Sequence, residues 1–174
     1  MIYQLLTDRF IQGVVDPVTE CKDLKNWCGG TYQGVISKLE YLQELGVDAI
    51  WISPIVLNGD LTTSNNQSGY HGYWATDIYQ LQPRFGSADD LTVLVQECHA
   101  RKMSVMVDVV PNHMGYQKDC DWEWEHCELL DDFSLFVPFN KPEHYHSLCE
   151  ISDDLNQDEM EKCRLANLPD LNQD

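Results

Sequence analysis

An apolar run, Val105-Met106-Val107, passes directly into Asp108-Val109-Val110-Pro111-Asn112-His113. Strands buried in a parallel sheet read as nearly continuous apolar stretches. An acid, an amide and an imidazole closing such a stretch are costly unless the strand opens onto a polar site. In parallel α/β folds, ligands gather outside the carboxyl ends of the strands. The hexad therefore reads in one of two ways. It is a strand end at an active site, or an Asp and an Asn that cap a turn beside a surface His.

The rest of the chain sets this strand in a rhythm. Ile2–Leu6 is short and apolar, as a strand would be. Over Thr31–Leu45, Val35, Leu39, Leu42 and Leu45 share one helical face, and Gly46 supplies a stop. Val47–Ile52 reads as a second buried strand, ended by Pro54. Thr62–Asn66 forms the tip of a polar loop. Ser87 and Asp90 have the spacing of a capping box for a second helix, which ends at Arg101-Lys102, where cations suit the negative end of its dipole. Ser104–Val110 is the third strand. The order β-α-β-α-β predicts an α/β fold with a parallel sheet and helical crossovers. After His113 the periodicity lapses. Residues 1–113 are thus expected to form the parallel layer, and residues 114–174 a loop-rich subdomain inserted after strand three. No internal repeat is visible.

Composition narrows the partners. The 174 residues carry a formal charge of −18, which opposes nucleic-acid binding, since phosphates call for a basic surface. The charge is uneven, with 16 acids against 3 bases from Asp119 to Asp174. Such an acidic stretch is either solvated or a place where a hard cation is held. No run of eighteen apolar residues exists, so no membrane span is expected. Met1–Leu6 lacks the basic region and long apolar core of a signal peptide.

Seven cysteines are many for a cytosolic protein of this size. Cys21/Cys28, Cys120/Cys127 and Cys149/Cys163 flank short segments, which suggests small disulfide-closed loops in a secreted protein. Zinc is the competing reading, weakened because no pair is spaced CxxC. Cys98 shares a predicted apolar helix face with Leu91, Leu94 and Val95 and is expected to be buried.

Tyr70-His71-Gly72-Tyr73-Trp74 places three aromatic rings and an imidazole around one glycine. Flat rings suit the C–H faces of sugars while His and Tyr tips bond hydroxyls. The same segment reads equally as a small aromatic core. Leu168-Pro169-Asp170-Leu171, taken alone, is a turn carrying an Asp.

Together, Leu5–Phe10, Cys28–Gly34, Tyr70–Trp74, Asp108–His113 and Leu168–Leu171 occur in an order that resembles the α-amylase family of glycoside hydrolases, most closely the secreted fungal-type members. The resemblance covers essentially the whole chain. It implies the N-terminal part, about three βα units, of a (β/α)8 TIM barrel, with an inserted calcium-binding subdomain after strand three. It implies endo-hydrolysis of internal α-1,4-glucosidic bonds of starch, glycogen and maltooligosaccharides with retention. A related α-glucosidase or transglycosylase, and a non-catalytic remnant that binds sugar or calcium, stand as alternatives. The family's catalytic carboxylates follow strands four, five and seven, so no catalytic residue is expected in these residues, and Asp108 matches a position that organises polar neighbours. By resemblance, Tyr73 stacks on the sugar at the cleavage subsite, His71 and His113 bond its hydroxyls, Trp74 lies beside them, and Gln33 reaches a neighbouring hydroxyl or is merely a surface residue. Asn112 through its side-chain oxygen, Asp170 through its carboxylate and Glu161 through its backbone carbonyl match ligands of a structural Ca²⁺, an oxygen-only set that suits this cation. Cys21/Cys28 and Cys149/Cys163 fall where the group has disulfides; Cys120/Cys127 has no counterpart and is expected to close locally. The resemblance further implies an extracellular protein, monomeric at full length, without nucleic-acid or membrane partners. Three barrel strands alone would leave an unpaired edge and an open face, so residues 1–174 in isolation are expected to aggregate or to stay molten.

Overall fold

A computed structural model describes residues 1–11, 21–59, 67–117, 132–149 and 151–173. The Thr62–Asn66 loop tip, Cys120, Cys127 and the Trp-rich segment between these two cysteines lie outside the described residues.

The chain divides into two compact units. The first comprises Met1–Leu57, Tyr70–Gly72 and Gln80–Val109; the second comprises Asn58–Gly69, Tyr73–Tyr79 and Val110–Asp174.

Three parallel strands build the first unit: β1 (Ile2–Leu5), β2 (Ala49–Ile52) and a third at Ser104–Val107, in the spatial order of the sequence. Ile2 pairs with Ala49, and Ala49 in turn with Ser104. Parallel neighbours need a crossover. The first is supplied by α1 (Thr7–Phe10), α2 (Tyr32–Ile36) and α3 (Leu39–Glu44), and part of the second by α4 (Ala88–Ala100). Tyr32, Val35, Leu39 and Leu42 from α2 and α3, Ile50 and Ile52 from β2, and Leu94 and Cys98 from α4 are fully buried in one core. Each large apolar side chain so enclosed contributes about 1.5–3 kcal/mol. Cys98 is therefore packing, and burial raises its thiol to about 11.

The helix expected over Thr31–Leu45 is two helices. The Ser37 hydroxyl donates to the Gly34 carbonyl, and Lys38 N–H bonds Val35 O three residues back. That tightens the last turn of α2, and Lys38 leaves helical geometry before α3 begins. The capping box of α4 forms as read: Ser87 Oγ accepts from Asp90 N–H, and the Asp90 carboxylate accepts from Ser87 N–H at 2.8 Å.

Two strands were not foreseen: β3 (Val56–Asn58) and β4 (Ala75–Leu81) form a separate two-stranded sheet. The strand at Ser104–Val107, last in the chain, is β5. The described part of the second unit beyond His113 is mostly irregular. Its longest regular element is α5 (Gln157–Lys162). Disulfides join Cys21 to Cys28 in the first unit and Cys149 to Cys163 in the second. The latter closes 14 residues around α5. A loop of that size constrains the unfolded chain by about 3 kcal/mol, so Cys149→Ser should lower unfolding stability by about that amount. Urea unfolding of the oxidised full-length protein against the variant checks it, and equal midpoints would show the bridge to be dispensable.

Candidate functional site

In the second unit, three chain segments meet as a small ladder. Leu171 N–H bonds Asn112 O, Met114 N–H bonds Pro169 O, and His146 N–H bonds Asp170 O, at 2.8, 3.2 and 3.1 Å. His113 thereby bridges Asp170, and Tyr145 bridges Leu171. The Leu168–Leu171 turn is thus a buried rung rather than a surface bend. Asp170 is 3% exposed, and both its carboxylate oxygens are engaged. Asn112 Nδ2 donates to Oδ1 at 3.2 Å, and His146 Nδ1 lies 2.7 Å from Oδ2.

The same Asn112 amide lies 3.3 Å from His113 Nδ1, and His113 Nε2 lies 3.2 Å from the Tyr73 carbonyl. A carbonyl can only accept, so Nε2 carries the proton and Nδ1 accepts from the amide. Burial lowers the His113 imidazole below its ordinary value, against the opposing pull of the Tyr73 carbonyl and of Asp170. The neutral ring is what these two bonds require. His113 therefore acts as a strut between Asn112 and the backbone of Tyr73. Trp74 is anchored separately. Its N–H bonds Asn58 Oδ1 at 2.7 Å, and its ring meets Tyr116 edge-on and packs with Leu168.

Calcium calls for converging oxygens. Asn112 and Asp170 meet. With Nδ2 committed to Asp170 and His113, the Asn112 Oδ1 has no hydrogen-bond partner among the described residues. One carboxylate and one amide oxygen at this point fit a hard cation. Glu161 lies on α5, where its carbonyl belongs to the last turn and has no intrahelical donor. Among the described residues no hydrogen bond joins it to Asn112 or Asp170, and no three His, Cys, Asp or Glu side chains cluster as a metal site.

The first unit holds the other predicted residues. Gln33 is exposed on α2, and its amide donates to Asp90 Oδ1 at 2.8 Å. It thereby joins the cap of α4. The Ser87 hydroxyl first, and then the Gln33 amide, hold the Asp90 carboxyl down at about 2. His71 sits edge-on to Tyr70, with ring centroids 5.1 Å apart.

Two residues with no assigned role prove central here. Asp8, 1% exposed, accepts N–H bonds from Cys28 and Gly29 at 2.8 and 3.1 Å. Gly30 N–H bonds the Asp8 carbonyl, and a Cβ on Gly30 would stand 2.0 Å from Thr7 O, so only glycine fits this approach. Arg9 follows Asp8 and touches Tyr70. Both residues stood inside a recognised segment, Leu5–Phe10, yet their partners come from a turn twenty residues on, and nothing local signals that.

Residues 4–148 match the family model described as "Alpha amylase, catalytic domain". The α-amylase of Saccharomycopsis fibuligera is 40% identical over 98% of the chain and 34% of its own length. Among solved structures, an α-amylase from Malbranchea cinnamomea superposes with a TM-score of 0.85 at 43% identity, over 98% of this chain and 35% of that one. An α-amylase from Geobacillus thermoleovorans, solved with acarbose, gives 0.75 at 37%, over 99% and 33%. The chain thus spans about a third of the length of the curated relatives it matches. No helix among the described residues is long and apolar enough to cross a membrane. The fold is that of the α-amylase catalytic domain, an α/β TIM-barrel glycosidase fold, and the chain belongs to the α-amylase family of glycoside hydrolases.

Proposed function

We propose that these residues are the substrate- and calcium-binding N-terminal part of a secreted α-amylase that cleaves internal α-1,4 bonds of starch-type glucans with retention. β1, β2 and β5 are the first three strands of the eight-stranded barrel, and the acidic, disulfide-closed segment after His113 is the calcium subdomain. Retention requires a carboxylate nucleophile and a carboxylic acid about 5–5.5 Å apart. The family's pair belongs to later strands, so these residues bind and orient the glucan, and protonation and attack come from elsewhere in the protein.

Tyr73 offers its ring to the C–H face of the sugar. Its backbone is held by His113, whose two nitrogens are both engaged, so His113 positions Tyr73 and reaches a sugar hydroxyl only by exchanging one of those partners. His71 bonds a hydroxyl. Trp74 serves mainly as packing beneath the loop, and Gln33 mainly as a brace between α2 and α4. Bound calcium would supply a point charge that binds the Asn112 and Asp170 segments together, with Glu161 adding its carbonyl if α5 closes on them.

The observation that carries this reading is the His113–Tyr73 bond. Within the second unit it holds the backbone of Tyr73 against His113 beside the Asn112–Asp170 pair, which gives a sugar-stacking ring a fixed base. The full-length protein should bind acarbose and maltoheptaose and hydrolyse soluble starch, while residues 1–174 alone should show no turnover. Tyr73→Ala should weaken maltoheptaose binding roughly tenfold, the upper range for one aromatic stacking contact. Calorimetric titration measures this, and unchanged affinity would remove Tyr73 from the site.

A further inference from the structure

Arg9 has an unusually complete set of restraints for a residue with no role in the reading above. Its Nη2 donates to two backbone carbonyls, Leu24 O at 3.0 Å and Asn26 O at 2.8 Å. Its Nε lies 2.9 Å from Asp8 Oδ2, an ion-pair contact off the line of the N–H. Its Nη1 reaches the sulfur of Cys21 at 3.8 Å. The guanidinium plane so fixed lies over the Tyr70 ring, with Cζ 3.7 Å from the centroid.

A guanidinium held on its edges has only its faces left to offer, and a face stacks on an aromatic ring. Tyr70 uses its other contact edge-on against His71, with the two planes at 68°. The next residue, Gly72, has φ +89° and no room for a Cβ against Pro54, so the backbone after His71 is fixed as well. Nothing in this chain of contacts is needed to close the buried core, which is made by other residues.

We propose that Arg9 is a positioning residue for glucan binding: it forms the platform on which Tyr70 lies, and Tyr70 sets the orientation of His71. The Cys21–Cys28 loop, which supplies the two carbonyls, is on this account the remote support of a sugar-binding imidazole. The inference rests on the reading that His71 meets the sugar.

The test uses the full-length protein with ¹³C-labelled histidine. Arg9→Gln removes the platform, and Tyr70→Leu removes the ring while leaving the Arg9 carbonyl bonds intact. Both should shift the His71 ring resonances towards solvent-averaged values and raise KM and Kd for maltoheptaose by roughly three- to tenfold, the span a partly desolvated guanidinium–ring stack allows. Tyr70→Phe keeps the ring and should restore both the resonances and the affinity. If Arg9→Gln fails to fold, Tyr70→Leu against Tyr70→Phe still decides. His71 resonances and KM unmoved in the Tyr70→Leu variant would overturn the inference. A wild type that neither binds nor cleaves maltoheptaose would instead overturn the proposed function, and the His71 resonances would then decide the Arg9–Tyr70–His71 coupling by themselves.

Discussion

Asp8→Ala should cost about 3–5 kcal/mol of unfolding stability, the range for breaking a buried ion pair by removing one partner. The loss has three sources. Cys28 and Gly29 N–H lose their shared acceptor, the Arg9 guanidinium loses its counter-charge, and the turn that brings Gly30 against Thr7 loses its anchor. Part-buried donors left without their acceptor and an uncompensated charge are more costly than the net worth of the bonds they made. Asp8→Asn keeps one good acceptor and should recover part of the loss. Denaturant unfolding of the full-length protein and its two variants measures it, and a loss below about 1 kcal/mol for Asp8→Ala would mean that the turn is held by other contacts.

Calcium should stabilise the wild type and leave Asp170→Ala unmoved. A ligand at a hundred times its dissociation constant adds about 2.7 kcal/mol, which corresponds to roughly 5–10 °C in Tm for a domain of about 150–250 residues and to less in a larger protein. Asp170→Ala also breaks the contacts to Asn112 and His146, so it should melt lower even in chelator. The informative quantity is therefore the difference between calcium and chelator within each protein. An undiminished calcium shift in Asp170→Ala would place the ion elsewhere, and no shift in the wild type would remove calcium from the account. Glu161→Ala should keep the shift, because the expected ligand there is a backbone carbonyl.

The parallel sheet was legible because apolar runs with helical periods between them have few other solutions. The α4 cap was legible because Ser87 and Asp90 are three residues apart and need nothing else. The break at Ser37 was not: Val35, Leu39 and Leu42 keep one apolar face across it, and the hydroxyl bond that interrupts the helix leaves no mark on periodicity. β4 was missed for the opposite reason. Thr76, Ile78 and Tyr79 favour strands, but Asp77 and Gln80 obscure the alternation, and its pairing with β3 is a tertiary fact. At the site, Asn112 and Asp170 were joined only through the family resemblance. Their contact spans 58 positions, and no local rule connects an amide to a turn so far downstream. The engagement of both His113 nitrogens, and the capture of Gln33 by Asp90, depend on side-chain geometry that residue types alone do not reveal.

The two-unit division also orders events on the ribosome. Every residue of the first unit precedes Val110, so its sheet and core can assemble as soon as that stretch clears the exit tunnel. Asp170 emerges some sixty residues later, and synthesis at about 5–20 residues per second makes that a wait of roughly 3–12 seconds. Throughout it Asn112 and His113 have been made but lack their downstream rung. Cys149 and Cys163 both emerge within that interval, so an external thiol oxidant that takes up their two electrons can join them before Asp170 arrives to close the ladder.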